Sequence, residues 1–181
     1  MSLNGSPKWM YNAGGGGFYD HTIDQSLRLD NTSGEYLTIS SASPTATDRK
    51  KVTINCWVKR AAIAQSGVKT IIHGTGNGLM MQFNSSDKLY IYDFNAGSGG
   101  WQITSPQVFR DVSAWYHFCM ILDSTQSTAS DRSKLYINGE LQDFSTWTVG
   151  SGASRYPTLN TNFTWHTGST MRIGSVGDAQ D

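Results

Sequence analysis

The chain has 181 residues, a formal net charge of zero and only 15% charged residues. That length suits one domain with a substantial core. The neutral balance argues against a nucleic-acid partner, which calls for a basic patch or stripe, and no run nears the ~20 apolar residues of a membrane helix, so no membrane insertion is expected.

In chain order, residues 1–17 stand apart. Trp9, Met10 and Tyr11 lie in a segment without periodicity, followed by Gly14-Gly15-Gly16-Gly17. Four glycines hold no fixed conformation cheaply and form a flexible joint. Disordered tails usually avoid large aromatics, so an apolar cluster on a hinge fits an arm that docks into another protein, with Phe18 and Tyr19 leading into the domain 18–181. The opening MSLNGSPKWMYN lacks the apolar core of a secretion signal.

From residue 26 onward, short strands follow one another. Segments 26–30 and 35–40 flank the turn Asn31-Thr32-Ser33-Gly34. Segment 51–60 alternates, with Val52, Ile54, Cys56 and Val58 on one face and Thr53, Asn55, Trp57 and Lys59 on the other. Further strands are expected over 69–73, 79–83, 88–94, 101–104, 115–122, 134–137, 140–144 and 171–174. Asn138-Gly139 between two of them is the strongest short-range hairpin signal, since both residues tolerate the positive φ of a type I′ turn. Segments 45–48 and 105–114 are expected to hold a helical turn. The stretch 146–170 reads as an elaborate surface loop, a length usually functional or disordered. Ten or more short strands separated by turn signals specify an all-β, two-sheet sandwich. Trp57 and Trp115, inside strands, are expected in its core. Cys56 and Cys119 also lie in strands, and no cysteine-rich spacing exists, so both are expected as buried free thiols.

The chemistry-bearing residues favour binding over catalysis. Glycoside hydrolysis needs two carboxyl groups facing each other, ~5–9.5 Å apart. The chain has two glutamates, Glu35 and Glu140, neither with an acidic residue two positions away, and most of its twelve aspartates sit at turns. His117 is expected to be a hydrogen-bonded structural histidine, and no nucleophile motif accompanies any histidine. No activity is therefore expected. Sugar C–H faces stack on aromatic rings while nearby polar groups satisfy the hydroxyls. Trp101 beside Gly99-Gly100, together with Trp147, Tyr156, Trp165 and His166 in the long stretch, are the candidates for that role.

The ordered set SLRLDN…EYLTI, VTINCWVKR, LMMQF, KLYIYDF, WYHFCMILD, KLYINGEL and MRIGS, spread over roughly residues 25–175, resembles the laminin-G-like, concanavalin A-like lectin domain. The resemblance implies a jelly-roll sandwich that binds or displays. It also implies a last strand after IGS that this sequence lacks. The wordings TQSTASDRSKLYINGE and FYDHTIDQSLRLDN are similar to lectin-like domains in structural proteins of tailed bacteriophages. That likeness implies a virion surface protein made in the host cytoplasm, as a tail fibre, head fibre or capsid decoration. Its partners would be other virion proteins, further copies of itself (perhaps as a trimer) and a host surface glycan. A secreted or cell-surface carbohydrate-binding module is the alternative, and a glycoside hydrolase the remote one. No cofactor is required. Relatives of this kind often hold one calcium at the rim, for which Asp93 with Asn95, or Asp123 with Asp131, would supply part of the 6–8 oxygens needed.

Overall fold

A computed structural model describes residues 26–29, 35–39, 48–63, 67–74, 78–94, 100–165 and 171–175. Its strands are β1 (Leu37–Ile39), β2 (Lys51–Lys59), β3 (Lys69–His73), β4 (Met80–Phe83), β5 (Lys88–Asp93), β6 (Trp101–Val108), β7 (Trp115–Asp123), β8 (Ser133–Ile137), β9 (Glu140–Leu141), β10 (Thr148–Val149) and β11 (Met171–Ile173). They form two antiparallel sheets, ordered β1-β11-β3-β4-β5-β6-β10 and β2-β7-β8-β9. Among the described residues, helical structure is limited to three single 3₁₀ turns. The expected all-β sandwich is what the chain forms.

The core lies between the sheets. Met81, Phe83, Leu89, Ile91, Trp101 and Ile103 point inward from the larger sheet, and Phe118, Met120, Leu122, Leu135 and Ile137 from the smaller. Phe83 and Phe118 meet across the gap with ring centroids 6.1 Å apart. Residues of period two thus fill one layer, the arrangement a half-buried strand encodes. The Asn138-Gly139 turn also forms as the sequence indicates, with φ of 52° and 86°. Asn138 fixes the neighbouring strand as well, since its N–H donates to the His117 carbonyl and its Oδ1 accepts the His117 N–H, both at 2.9 Å.

An ion pair ties the two sheets together. Arg60, just past β2, donates to Asp87 at 2.8 Å and to the Phe109 carbonyl, and its guanidinium lies 4.5 Å from the Phe83 ring centroid. Arg110 donates to the other Asp87 oxygen at 2.9 Å. Asp87 itself has a φ of 61° in the turn between β4 and β5, a conformation that Asp tolerates better than most residues.

Several expectations change. Segment 105–114 holds no helical turn, because 105–108 continue β6 against β5. Residues 26–29 are not a strand. The stretch 146–165 is not a simple surface loop: β10 joins the larger sheet, and Trp147 and Phe163 are buried in the core. Cys56 and Cys119 are free but half-buried, on opposite faces of the smaller sheet. Among the described residues, β2 pairs only with β7. The docking-arm residues Trp9, Met10, Tyr11, Phe18 and Tyr19 lie outside the described residues, as do His166 and Asn95.

Candidate functional site

The tryptophans exchange places relative to expectation. Trp101 is fully buried and Trp147 is 2% exposed. Trp101 opens β6 in phase with Ile103, so its ring enters the core and not the solvent beside Gly100. Trp147 closes the core's end against Phe144, centroids 5.1 Å apart, while its carbonyl accepts from Arg155 at 2.7 Å. Neither offers a ring face to a ligand. Trp57 and Trp115, expected inside, are 44% and 47% exposed. The reason is parity. Val52, Ile54, Cys56 and Val58 pack on the core, which turns Thr53, Asn55 and Trp57 outward, and the register Lys59↔Trp115 and Trp57↔His117 places their partners on that same outer face.

That face is a strip of rings set among hydrogen-bonding groups. The His117 ring lies 4.8 Å from that of Trp57, tilted by 32°, and its Nε2 is 2.7 Å from Asn55 Oδ1. His117 is thus the hydrogen-bonded structural histidine expected. Asn55↔Cys119 and Cys119↔Tyr136 continue the row across the sheet to Leu141, which is exposed. With Asn55 Oδ1 facing the imidazole, its amide N–H₂ remains to donate outward. An apolar ring beside such donors suits a ligand with one apolar and one hydroxylated side.

Two depressions flank the smaller sheet. The first, about 250 Å³, opens along β2 and is lined by Val52, Ile54, Ile72, Leu79, Trp165 and Met171, which places Trp165 at an apolar cleft between the sheets. The second, about 390 Å³, lies at the β8–β9 edge, where Tyr156 meets Asp131, Ser133, Lys134 and Asp143. Among the described sugar-binding candidates, Tyr156 is the one set beside several polar side chains.

Most of these carboxylates are engaged within the fold. Asp93 is buried at the end of β5 and receives both the N–H of Thr164, at 2.7 Å, and its hydroxyl. Asp123 accepts from the Thr125 N–H at 3.0 Å, the Gln126 amide at 2.9 Å and Lys51 at 3.3 Å. Desolvation opposes ionisation there, but the hydrogen bonds from Thr125, Gln126 and Lys51 outweigh it and hold the Asp123 carboxyl well below the usual range. Asp131 pairs with Lys134 at 3.1 Å. Among the described residues, no three acids, histidines or cysteines gather as a metal site. Glu35 lies just ahead of β1, an end strand of the larger sheet, and Glu140 opens β9, an end strand of the smaller.

A family model described as the concanavalin A-like lectin/glucanases superfamily matches residues 30–171. The chain belongs to this superfamily. Among solved structures, the concanavalin A-like sandwich is similar to the binding domain of botulinum neurotoxin DC in complex with rat synaptotagmin II, at 14% identity and a TM-score of 0.41, covering 76% of this chain and 36% of that one. It is also similar to a structure of botulinum neurotoxin type C, described as dependent on two ganglioside molecules for cell entry. There the identity is 16%, the TM-score 0.45, and the coverage 86% of this chain and 38% of that one. The chain therefore spans little more than a third of the length of these structures. No curated protein matches it.

Proposed function

We propose that this concanavalin A-like chain is a non-enzymatic adhesion module displayed on the surface of a bacteriophage particle, where it holds a host envelope glycan. The exposed aromatic strip of Trp57 and Trp115 beside Asn55 and His117 carries the glycan part of this reading. Two large rings left in water at neighbouring positions cost burial energy that a purely structural sheet would recover by covering them. Neutral overall charge suits a neutral sugar polymer. Asp87, Asp93, Asp123 and Asp143 accept hydrogen bonds that hold turns and the sheet junction, which fits binding and not acid catalysis.

The phage location is supported by the sequence likeness, and the segment Trp9–Tyr11 with the Gly14–Gly17 hinge supplies the docking arm. Assembly as a homo-oligomer would repeat a weak site on one particle and raise its avidity through effective concentration. The test is adsorption of particles carrying Trp57→Ala with Trp115→Ala. Adsorption should fall sharply while the variant domain stays folded and is still incorporated. Normal adsorption would remove the strip from the account. Deletion of residues 1–13 should abolish incorporation, and unchanged incorporation would remove the arm.

A further inference from the structure

We propose that the groove at the β8–β9 edge is a subsite for one neutral sugar unit, gripping a pair of adjacent hydroxyls. It rests on the glycan-adhesion reading and names the part of the surface that would give it selectivity. The groove, about 390 Å³, is of a size that small-molecule sites occupy. Lys134 and Leu141 belong both to it and to the outer face of the smaller sheet, so a glycan lying along Trp57 and Tyr136 reaches it without leaving the protein.

Three features converge there. Asp131 Oδ1 pairs with Lys134 Nζ at 3.1 Å, one turn of chain apart and half in solvent. One carboxylate oxygen and two ammonium protons remain for a ligand, an acceptor next to a donor. Adjacent hydroxyls on a sugar ring match that arrangement, one donating to the carboxylate and the other accepting from the ammonium. Ser133, which also lines the groove, is 2% exposed, and its Oγ has no hydrogen-bond partner. A buried hydroxyl left unpaired calls for an explanation. Ser133 lines the groove, so a ligand oxygen at its floor would give that hydroxyl a partner. Tyr156 supplies the apolar wall, its ring 6.3 Å from that of Phe144.

The rest of the lining narrows the ligand class. Asp143 spends Oδ1 on the Ser145 N–H at 2.8 Å and Oδ2 on its hydroxyl at 2.7 Å. Gln142 donates to the Glu140 carbonyl and accepts from Gln107, at 2.9 and 2.8 Å. Two carboxylates against one ammonium in the walls disfavour an anion, and Asp143 already accepts a hydrogen bond on each oxygen, which leaves few oxygens for a hard cation. A neutral polyol remains.

The test is amide chemical-shift mapping of the full chain, titrated with methyl glycosides of the common hexoses and their monodeoxy analogues. Shifts at Ser133, Lys134 and Tyr156 are expected with at least one glycoside, weakened about tenfold or more by Asp131→Asn or by removing one hydroxyl of the pair. The same shifts should persist in Trp57→Ala with Trp115→Ala. Shifts confined to the tryptophan face would overturn the groove and keep the glycan reading. No shift at either place would overturn both. Undiminished binding by Asp131→Asn, with an unchanged fold, would also overturn the proposal.

Discussion

Replacing Asp87 by alanine should be among the most destabilising single changes in this domain. Asp87 is 1% exposed and receives the guanidinium of Arg60, itself 5% exposed, at 2.8 Å. Without the carboxylate, Arg60 keeps only the Phe109 carbonyl and the Phe83 ring, so its charge is left buried and uncompensated. Breaking a buried pair from one side costs about 3–5 kcal/mol. The positive φ of residue 87 adds about 1–2 kcal/mol for alanine, a share that Asp87→Asn would avoid. Arg110, whose side chain is 58% exposed, serves as the control, because an exposed pair contributes about 0–1 kcal/mol. The assay is urea unfolding of wild type, Asp87→Ala, Asp87→Asn and Arg110→Ala. A loss below about 1 kcal/mol for Asp87→Ala would refute the idea that this pair joins the sheets. Equal losses for Asp87→Ala and Arg110→Ala would refute the distinction between buried and exposed partners.

Further outcomes follow from other sites. Burial, with the neighbouring Cys119 adding to it, pushes the Cys56 thiol up to about 11. At pH 8 iodoacetamide should therefore alkylate Cys56 about a hundredfold more slowly than a free thiol of ordinary pKa, and peptide mapping showing comparable rates would contradict this. The depressed Asp123 carboxyl contributes stability that is present above its unfolded pKa of about 3.9 and is lost as pH falls through its lower folded value. Asp123→Asn should flatten the acid limb of the stability–pH curve, and an unchanged limb would show that other acids carry it. At Gly74 an added Cβ would clash with the Thr164 carbonyl oxygen, so Gly74→Ala should cost about 1–3 kcal/mol by thermal or urea unfolding. A neutral result would mean that the segment around Thr164 shifts freely.

Much of the scaffold was legible because period two is a local signal. The two faces of β2 and the Asn138-Gly139 hairpin could be read directly. The tryptophans could not be placed by composition alone. Residue type suggested that a tryptophan in a strand is buried and one beside glycines is exposed, yet strand phase decided otherwise. Trp101 shares the phase of Ile103, and Trp57 shares that of Thr53 and Asn55. That phase was visible in the sequence and was outweighed by the size of the ring. The groove was hidden for a different reason. Asp131, Ser133, Asp143 and Tyr156 meet only through the turn after β7, the β8–β9 hairpin and the later chain, and no local pattern encodes such long-range closure. The burial of Trp147 has the same long-range cause, since the 3₁₀ turn at Phe144–Thr146 carries it back into the core.

The central claim is that the outer face of the smaller sheet holds a glycan. Its most direct test is binding of the purified chain to an array of bacterial surface glycans, beside a Trp57→Ala, Trp115→Ala variant whose fold is checked by far-ultraviolet circular dichroism. Selective binding by the wild type, sharply weakened in the folded variant, is the predicted result. Undiminished binding in the variant, or no binding to any glycan by the wild type, would contradict the claim.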